Sequence, residues 1–120
     1  MRRFPLLFFV VLIVPSILCA REPREQQRID YVIQSLGSLK GAVFIRNGSE
    51  YNSKAAQEHL QMKLKYVGER VKTAEQFIQY CASQSSMTHQ PYKIRFADGT
   101  VTDTSSFFHA KLREFDQKNP

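Results

Sequence analysis

His59 and Lys63 stand one helical turn apart in "AAQEHLQMKLKY", in the middle of a face whose other members are apolar. A histidine and a lysine aimed at a protein interior need partners or a path to water. Upstream, Arg46 and Tyr51 flank an Asn47-Gly48 pair in "FIRNGSEY". If these side chains converge, they make a cationic pocket suited to a carboxylate, a phosphate or a sugar acid. The competing expectation is structural: Lys63 lays its stem along the core and lifts its ammonium to water, and His59 bonds a carbonyl or a tyrosine. The candidate ligand-binding residues are Arg46, Asn47, Tyr51, His59 and Lys63, with Tyr92 as a further lining residue.

Other reactive types give weaker patterns. Cys81 could pair with His59 as a thiol nucleophile, but it falls on an apolar stripe, where a free cysteine packs as a small hydrophobe. Ser85 and Ser86 end a helix and lack a nucleophile-elbow sequence around them, so capping and turn bonding is their expected use. His59, His89 and His109 have no short metal-ligand spacing and the acids are scattered, so no metal site is expected. No glycine-rich phosphate loop is present and no cofactor is expected. Tyr31, Tyr51, Tyr66, Tyr80 and Tyr92 could form an aromatic groove, though half-buried tyrosines with wet hydroxyls are the commoner outcome. No catalytic residue is assigned; a small hydrolase or transferase with His59 as base is a lesser alternative.

The elements that must position these residues follow from periodicity. Ile29, Val32, Ile33 and Leu36 mark one face of a helix from near Arg24 to Gly37. "AVFIR" is strand-like, and Asn47-Gly48 suits a type I′ turn onto "SEY". That hairpin sets Arg46 opposite Ser49, Ile45 opposite Glu50 and Phe44 opposite Tyr51. A second helix opens at Asn52 or Ser53 and runs to about Val67. Its apolar side is read as Ala55, Ala56, Leu60, Met62, Leu64, Tyr66 and Val67. "TAEQ" from Thr73 is a capping box for a third helix, with Ala74, Phe77, Ile78, Cys81, Ala82 and Ser85 inward. "YKIRF" alternates with Tyr92, Ile94 and Phe96 on one side, and Asp98-Gly99 turns it back onto "TVT". A last helix, capped by Asp103 or Thr104, carries Phe108, Leu112 and Phe115. The expected fold class is α+β: about four helices packed on a small antiparallel sheet of two short hairpins.

The first twenty residues differ from the rest. Arg2-Arg3 precede the apolar run Phe4 to Val14, Pro15-Ser16 break it, and a small residue follows at Ala20. This is the layout of a secretory signal peptide over residues 1–20, cut after Ala20. An uncleaved anchor and a lipid on Cys19 are the alternatives; the run is short for a spanning helix, and Leu18 is large for a lipoprotein signal. Residues 21–28 then read as a polar lead-in and 29–117 as a single domain. The full chain carries 17 basic and 11 acidic side chains. Removing Arg2 and Arg3 leaves 15 against 11, a net of +4, with the signs interspersed. That excludes a nucleic-acid partner as the expectation, and membrane contact is expected only through the signal segment. Cys81 is left as the lone cysteine, so the domain holds itself by its core and is expected to be a monomer.

"FIRNGSEY", "AAQEHLQMKLKY", "RVKTAEQFIQYCASQSS" and "QPYKIRF" together resemble the YfeK-like family of small secreted bacterial proteins, a domain of unknown function. The resemblance spans about Ile29 to Phe115, through F-x-R-N-G, H-L-x-x-K-L, T-A-E-x-F-I, A-S-x-S-S and P-Y. It implies a periplasmic address in a Gram-negative bacterium, and no enzyme activity, cofactor or catalytic residue. Many relatives carry glycine where this chain has His89-Gln90. The expected function is a non-catalytic periplasmic binding protein for a small anionic or cell-envelope ligand. The alternative is a protein-interaction module or inhibitor of an envelope enzyme, acting through exposed hairpin tips.

Overall fold

Pro23 opens the first helix at a position where its fixed φ fits and its missing N–H costs nothing. Helix α1 (Pro23–Gly37) therefore takes up most of the segment expected to be a polar lead-in. The structure is a computed structural model, and it describes residues 20–120. The expected signal segment, its anchor alternative and the Cys19 lipid lie, Ala20 apart, outside the described residues. Ile29, Val32, Ile33 and Leu36 are buried along α1, as their spacing requires.

Strands β1 (Val43–Arg46) and β2 (Ser49–Asn52) pair in the expected register, with Phe44 opposite Tyr51 and Arg46 opposite Ser49. Asn47 (φ 50°) and Gly48 (φ 77°) supply the two left-handed residues that a type I′ turn needs. Helix α2 (Ser53–Val67) follows at once. Of its two possible caps Asn52 acts, accepting the Ala55 N–H at 2.8 Å, while the Ser53 hydroxyl donates to the Leu39 carbonyl. Ala56 and Leu60 are the buried residues of α2. Met62 and Tyr66 are exposed at 70% and 81%, against their assignment to the apolar side. At 100° per residue they lie about 200° and 240° round from Leu60, so the stripe is narrower than hydropathy implied.

A short 3-10 turn (Gly68–Arg70) leads to α3 (Ala74–Phe77). The Thr73 hydroxyl accepts the Gln76 N–H, and the Gln76 side chain reaches back to the Lys72 N–H at 2.7 Å. The chain then widens into a π-helical segment (Ile78–Ala82). Its terminal carbonyls accept from side chains: Ile78 from Ser83, Cys81 from Lys63 and Ala82 from Thr104. Strands β3 (Lys93–Arg95) and β4 (Val101–Asp103) form the second hairpin, and α4 (Thr104–Lys118) closes the described chain. Thr104 turns its hydroxyl inward to Ala82, and Asp103 holds the cap position without a side-chain bond.

The two hairpins merge into one antiparallel sheet, β2-β1-β3-β4, through a β1–β3 ladder that sets Phe44 opposite Ile94. Tyr92 and Phe44 pack with ring centroids 5.3 Å apart on the buried side. The result is an α+β domain of four helices and a four-stranded antiparallel sheet.

A buried charge ties three helices together. The Arg28 guanidinium, 8% exposed, bonds Glu75 of α3 at 2.8 Å, Asp116 of α4 at 3.0 Å and Glu25 of its own helix at 3.1 Å. Glu25 also accepts the Ala74 N–H, and so helps cap α3. The Glu75 bond, followed by those to Asp116 and Glu25, holds Arg28 above its ordinary pKa against the opposing effect of burial. In return the bond to Arg28 lowers Glu75 below 4.5. Arg28→Ala should destabilise by about 2–3 kcal/mol in urea unfolding, because it strands three carboxylates. Asp116→Asn should cost well under half of that, since Asp116 is 41% exposed. A carboxylate held below its ordinary value stabilises the fold above that value. The Glu75 contribution should therefore vanish as pH falls through its lowered folded value.

Candidate functional site

The β1–β2 register sets Arg46 and Tyr51 on one face of the hairpin, and α2 brings His59 against them. The Arg46 guanidinium lies 5.3 Å from the centre of the Tyr51 ring, and Nη2 donates to the Tyr51 hydroxyl at 3.3 Å. Nη1 lies 2.7 Å from His59 Nε2. Guanidinium nitrogens only donate, so Nε2 is the acceptor and the imidazole is neutral. Its pKa is held below 6.5 by burial first, then by the charges of Arg46 and Lys63. These residues wall a cavity of about 250 Å³, completed by Glu58 and by apolar surface from Phe44, Ala55, Ala56 and Met62.

Arg46, Tyr51 and His59 thus come together; Asn47, Lys63 and Tyr92 do not line this cavity. Lys63 points inward, where Nζ donates to the Tyr92 hydroxyl at 2.7 Å and to the Cys81 carbonyl at 3.0 Å. It does not line the pocket, and its ammonium is spent on two protein oxygens. The reason is the π-helical segment, whose end presents a carbonyl within its reach. Tyr92 is 1% exposed, and its hydroxyl is the acceptor that completes this contact.

The Asn47 amide is engaged too. Nδ2 donates to Ser85 Oγ at 3.1 Å, and Oδ1 accepts from the Thr88 hydroxyl at 2.6 Å. Ser85 Oγ also takes the Met87 and Thr88 N–H groups, the turn bonding expected of it. The Asn47 side chain therefore pins the hairpin tip to the loop after the π-helical segment. In that loop His89 has φ 59°, a left-handed conformation that glycine adopts without strain. Sequence reasoning missed Phe44, Glu58 and Met62 as pocket residues. Glu58 and Met62 sit next to and three residues after His59, and helical spacing from that histidine would have found Met62.

Cys81 is buried, and burial pushes its thiol above the ordinary value, the opposite of an activated nucleophile. Among the described residues no three His, Cys, Asp or Glu side chains gather as metal ligands, and no helix is long and apolar enough to cross a membrane. Tyr66 and Tyr80 are exposed and Tyr92 is buried, so the five tyrosines form no single groove. A larger groove of about 350 Å³ lies between α1 and α2, but the Arg21 guanidinium on its wall is occupied by the Gly68 and Val71 carbonyls.

The fold and site define a small α+β domain with a compact, largely apolar pocket walled by an arginine and a neutral histidine. Residues 23–116 match a family of unknown function (DUF5329), and the chain belongs to that family. It is also similar to the uncharacterized protein YfeK of Salmonella typhimurium (strain LT2), 43% identical over 68 residues. That match covers 57% of this chain and 57% of the relative's own length. No solved structure matches the chain. The family resemblance read from the motifs is thereby borne out.

Tyr92→Phe removes the hydroxyl that accepts from the Lys63 ammonium and should cost about 2 kcal/mol. Chemical denaturation of Tyr92→Phe, Lys63→Met and the double variant should give a coupling of about 1–2 kcal/mol. At His59 the sign follows from its lowered pKa: the unfolded chain binds the proton more readily. Its contribution is complete above about 6.5 and is lost as pH falls from there through the lower folded value. His59→Leu should flatten this part of the stability profile.

Proposed function

We propose that the chain is a monomeric, non-catalytic periplasmic protein that binds a small ligand with one anionic group and an apolar body. The observation that carries this is Arg46. It is half-buried at the pocket wall, and among the described residues no carboxylate lies within ion-pairing distance of it. Its partners are a neutral imidazole and a phenol. A guanidinium has five N–H donors, and these contacts leave some of them for a carboxylate or phosphate. Phe44, Ala55, Ala56 and Met62 supply the apolar lining, and a volume of about 250 Å³ favours a small molecule over a polymer. The periplasmic address rests on the N-terminal layout of residues 1–20 and on the family resemblance.

An anion at Arg46 also changes His59. It offsets the cationic charges that disfavour the imidazolium, so the complex takes up a proton more readily than the free protein. Binding then tightens as pH falls toward the lowered folded value of His59.

A second reading is a protein-interaction module. It draws on Met62 and Tyr66, exposed four residues apart on α2 beside the pocket, more than on the hairpin tips. The Asn47 tip is tied to Ser85 and Thr88, and Asp98 at the other tip is engaged by Thr100. A hydrolase using His59 has less support, because Arg46 already occupies Nε2 and Cys81 is buried.

Thermal shift against short carboxylates, sugar acids, nucleotides and cell-wall fragments tests the first reading. A ligand at a hundred times its Kd should raise Tm by about 10 °C. Arg46→Met should abolish the shift, whereas Lys93→Ala, which removes an exposed charge on β3, should keep it. A shift that persists in Arg46→Met, His59→Leu moves the site elsewhere. No shift with any anion, together with co-purification of an envelope protein lost on Met62→Ser, Tyr66→Ser, favours the second reading.

A further inference from the structure

Arg21 is gripped by the fold immediately after Ala20. Its guanidinium donates from Nε to the Val71 carbonyl at 3.0 Å, from Nη2 to the Gly68 carbonyl at 2.9 Å, and from Nη1 to the Gln26 side chain. The two carbonyls belong to the turn between α2 and α3, whose C-terminal backbone acceptors favour a cation. The Arg21 backbone nitrogen itself lies 3.0 Å from Glu69 Oε2. Ala20, on the other side of that peptide bond, is exposed.

The Arg21 nitrogen belongs to the bond at which the N-terminal layout places the signal cut. Hydrolysis there consumes one water. The oxygen goes to the Ala20 carbonyl carbon, which leaves as a carboxylate, and the nitrogen becomes an amine that is protonated below about pH 8. We propose that Ala20–Arg21 is the processing site and that the new Arg21 α-ammonium forms an ion pair with Glu69, so that the cut end becomes a clasp on the α2–α3 turn. One residue then delivers two cations to the same turn: the guanidinium to its carbonyls and the ammonium to its carboxylate. Pro23, two residues on, starts α1 and fixes the direction from which both arrive. The inference rests on the signal-peptide reading and makes no use of the Arg46 pocket.

The charged groups around this end are few. Glu69 pairs with Lys72 at 3.5 Å; Glu22 and Glu25 stand at the start of α1; Asp30 and Lys65 line the groove that Arg21 also lines. An amine that gains Glu69 on folding has its pKa raised in the folded state. Its contribution is therefore full below about 8 and is lost as pH rises through the raised value.

The test uses the full chain expressed with its leader in a Gram-negative host and recovered from the periplasm. Intact mass should give Arg21–Pro120, unmodified. In that product Glu69→Gln should lower Tm by about 2–5 °C at pH 6.5, and most of the difference should disappear at pH 9.5. A different first residue or a lipid on Cys19 overturns the processing site. An Arg21 terminus with no Glu69→Gln effect, or an effect equal at both pH values, overturns the clasp. Loss of ligand binding in the pocket would leave both results unchanged, so failure here and failure of the binding function can be told apart.

Discussion

One ammonium group sits where four elements meet. Lys63 reaches from α2 to the Cys81 carbonyl at the end of the π-helical segment and to the hydroxyl of Tyr92, which leads into β3. The Tyr92 carbonyl in turn accepts the Thr104 N–H that begins α4, and Thr104 bonds back to Ala82. A half-buried ammonium is held here by two oxygens, and those oxygens are in place only if the elements carrying them are docked. The widened turn is part of the same constraint. It ends the third helix with carbonyls facing side chains of α2 and α4.

The pocket is a by-product of this arrangement with a chemistry of its own. A hairpin running directly into a helix leaves a cleft between them, and small residues at Ala55 and Ala56 keep it open. Because Lys63 is committed to the interior, Arg46 is the cation left at the cleft wall. It is held by a π face and a neutral imidazole, both of which orient a guanidinium without cancelling its charge. The buried Arg28, saturated by three carboxylates, shows the contrast: the same residue type in a purely structural role.

Much of this was legible in the chain. The Asn47-Gly48 turn and its register, the Thr73 cap, the choice of Asn52 or Ser53 as the α2 cap and the stripe of α1 are legible in the chain, because each depends on residues close in sequence. The errors share a cause. Met62 and Tyr66 were placed inside because hydropathy does not say how wide the buried stripe is; the neighbours do. The helix start near Arg24 was legible, yet nothing in the spacing tells that Arg28 and Arg21 have distant partners, at Glu75 and Asp116 and at the 68–71 turn. Asn47 is by sequence both a turn residue and a ligand-binding candidate, and its amide instead ties the hairpin to Ser85 and Thr88.

By itself, then, the sequence determined the elements, the hairpin register and the family. Backbone stereochemistry and side-chain period are local properties that survive in one dimension. The tertiary structure decided the β1–β3 ladder that joins the hairpins, the partner of every polar side chain aimed inward, and which of the candidate site residues meet: Arg46, Tyr51 and His59 did, while Lys63, Tyr92 and Asn47 were taken up in holding the fold. A charged side chain is satisfied by whichever oxygen comes within about 3 Å of it, and that is a question of packing across tens of residues rather than of spacing along the chain.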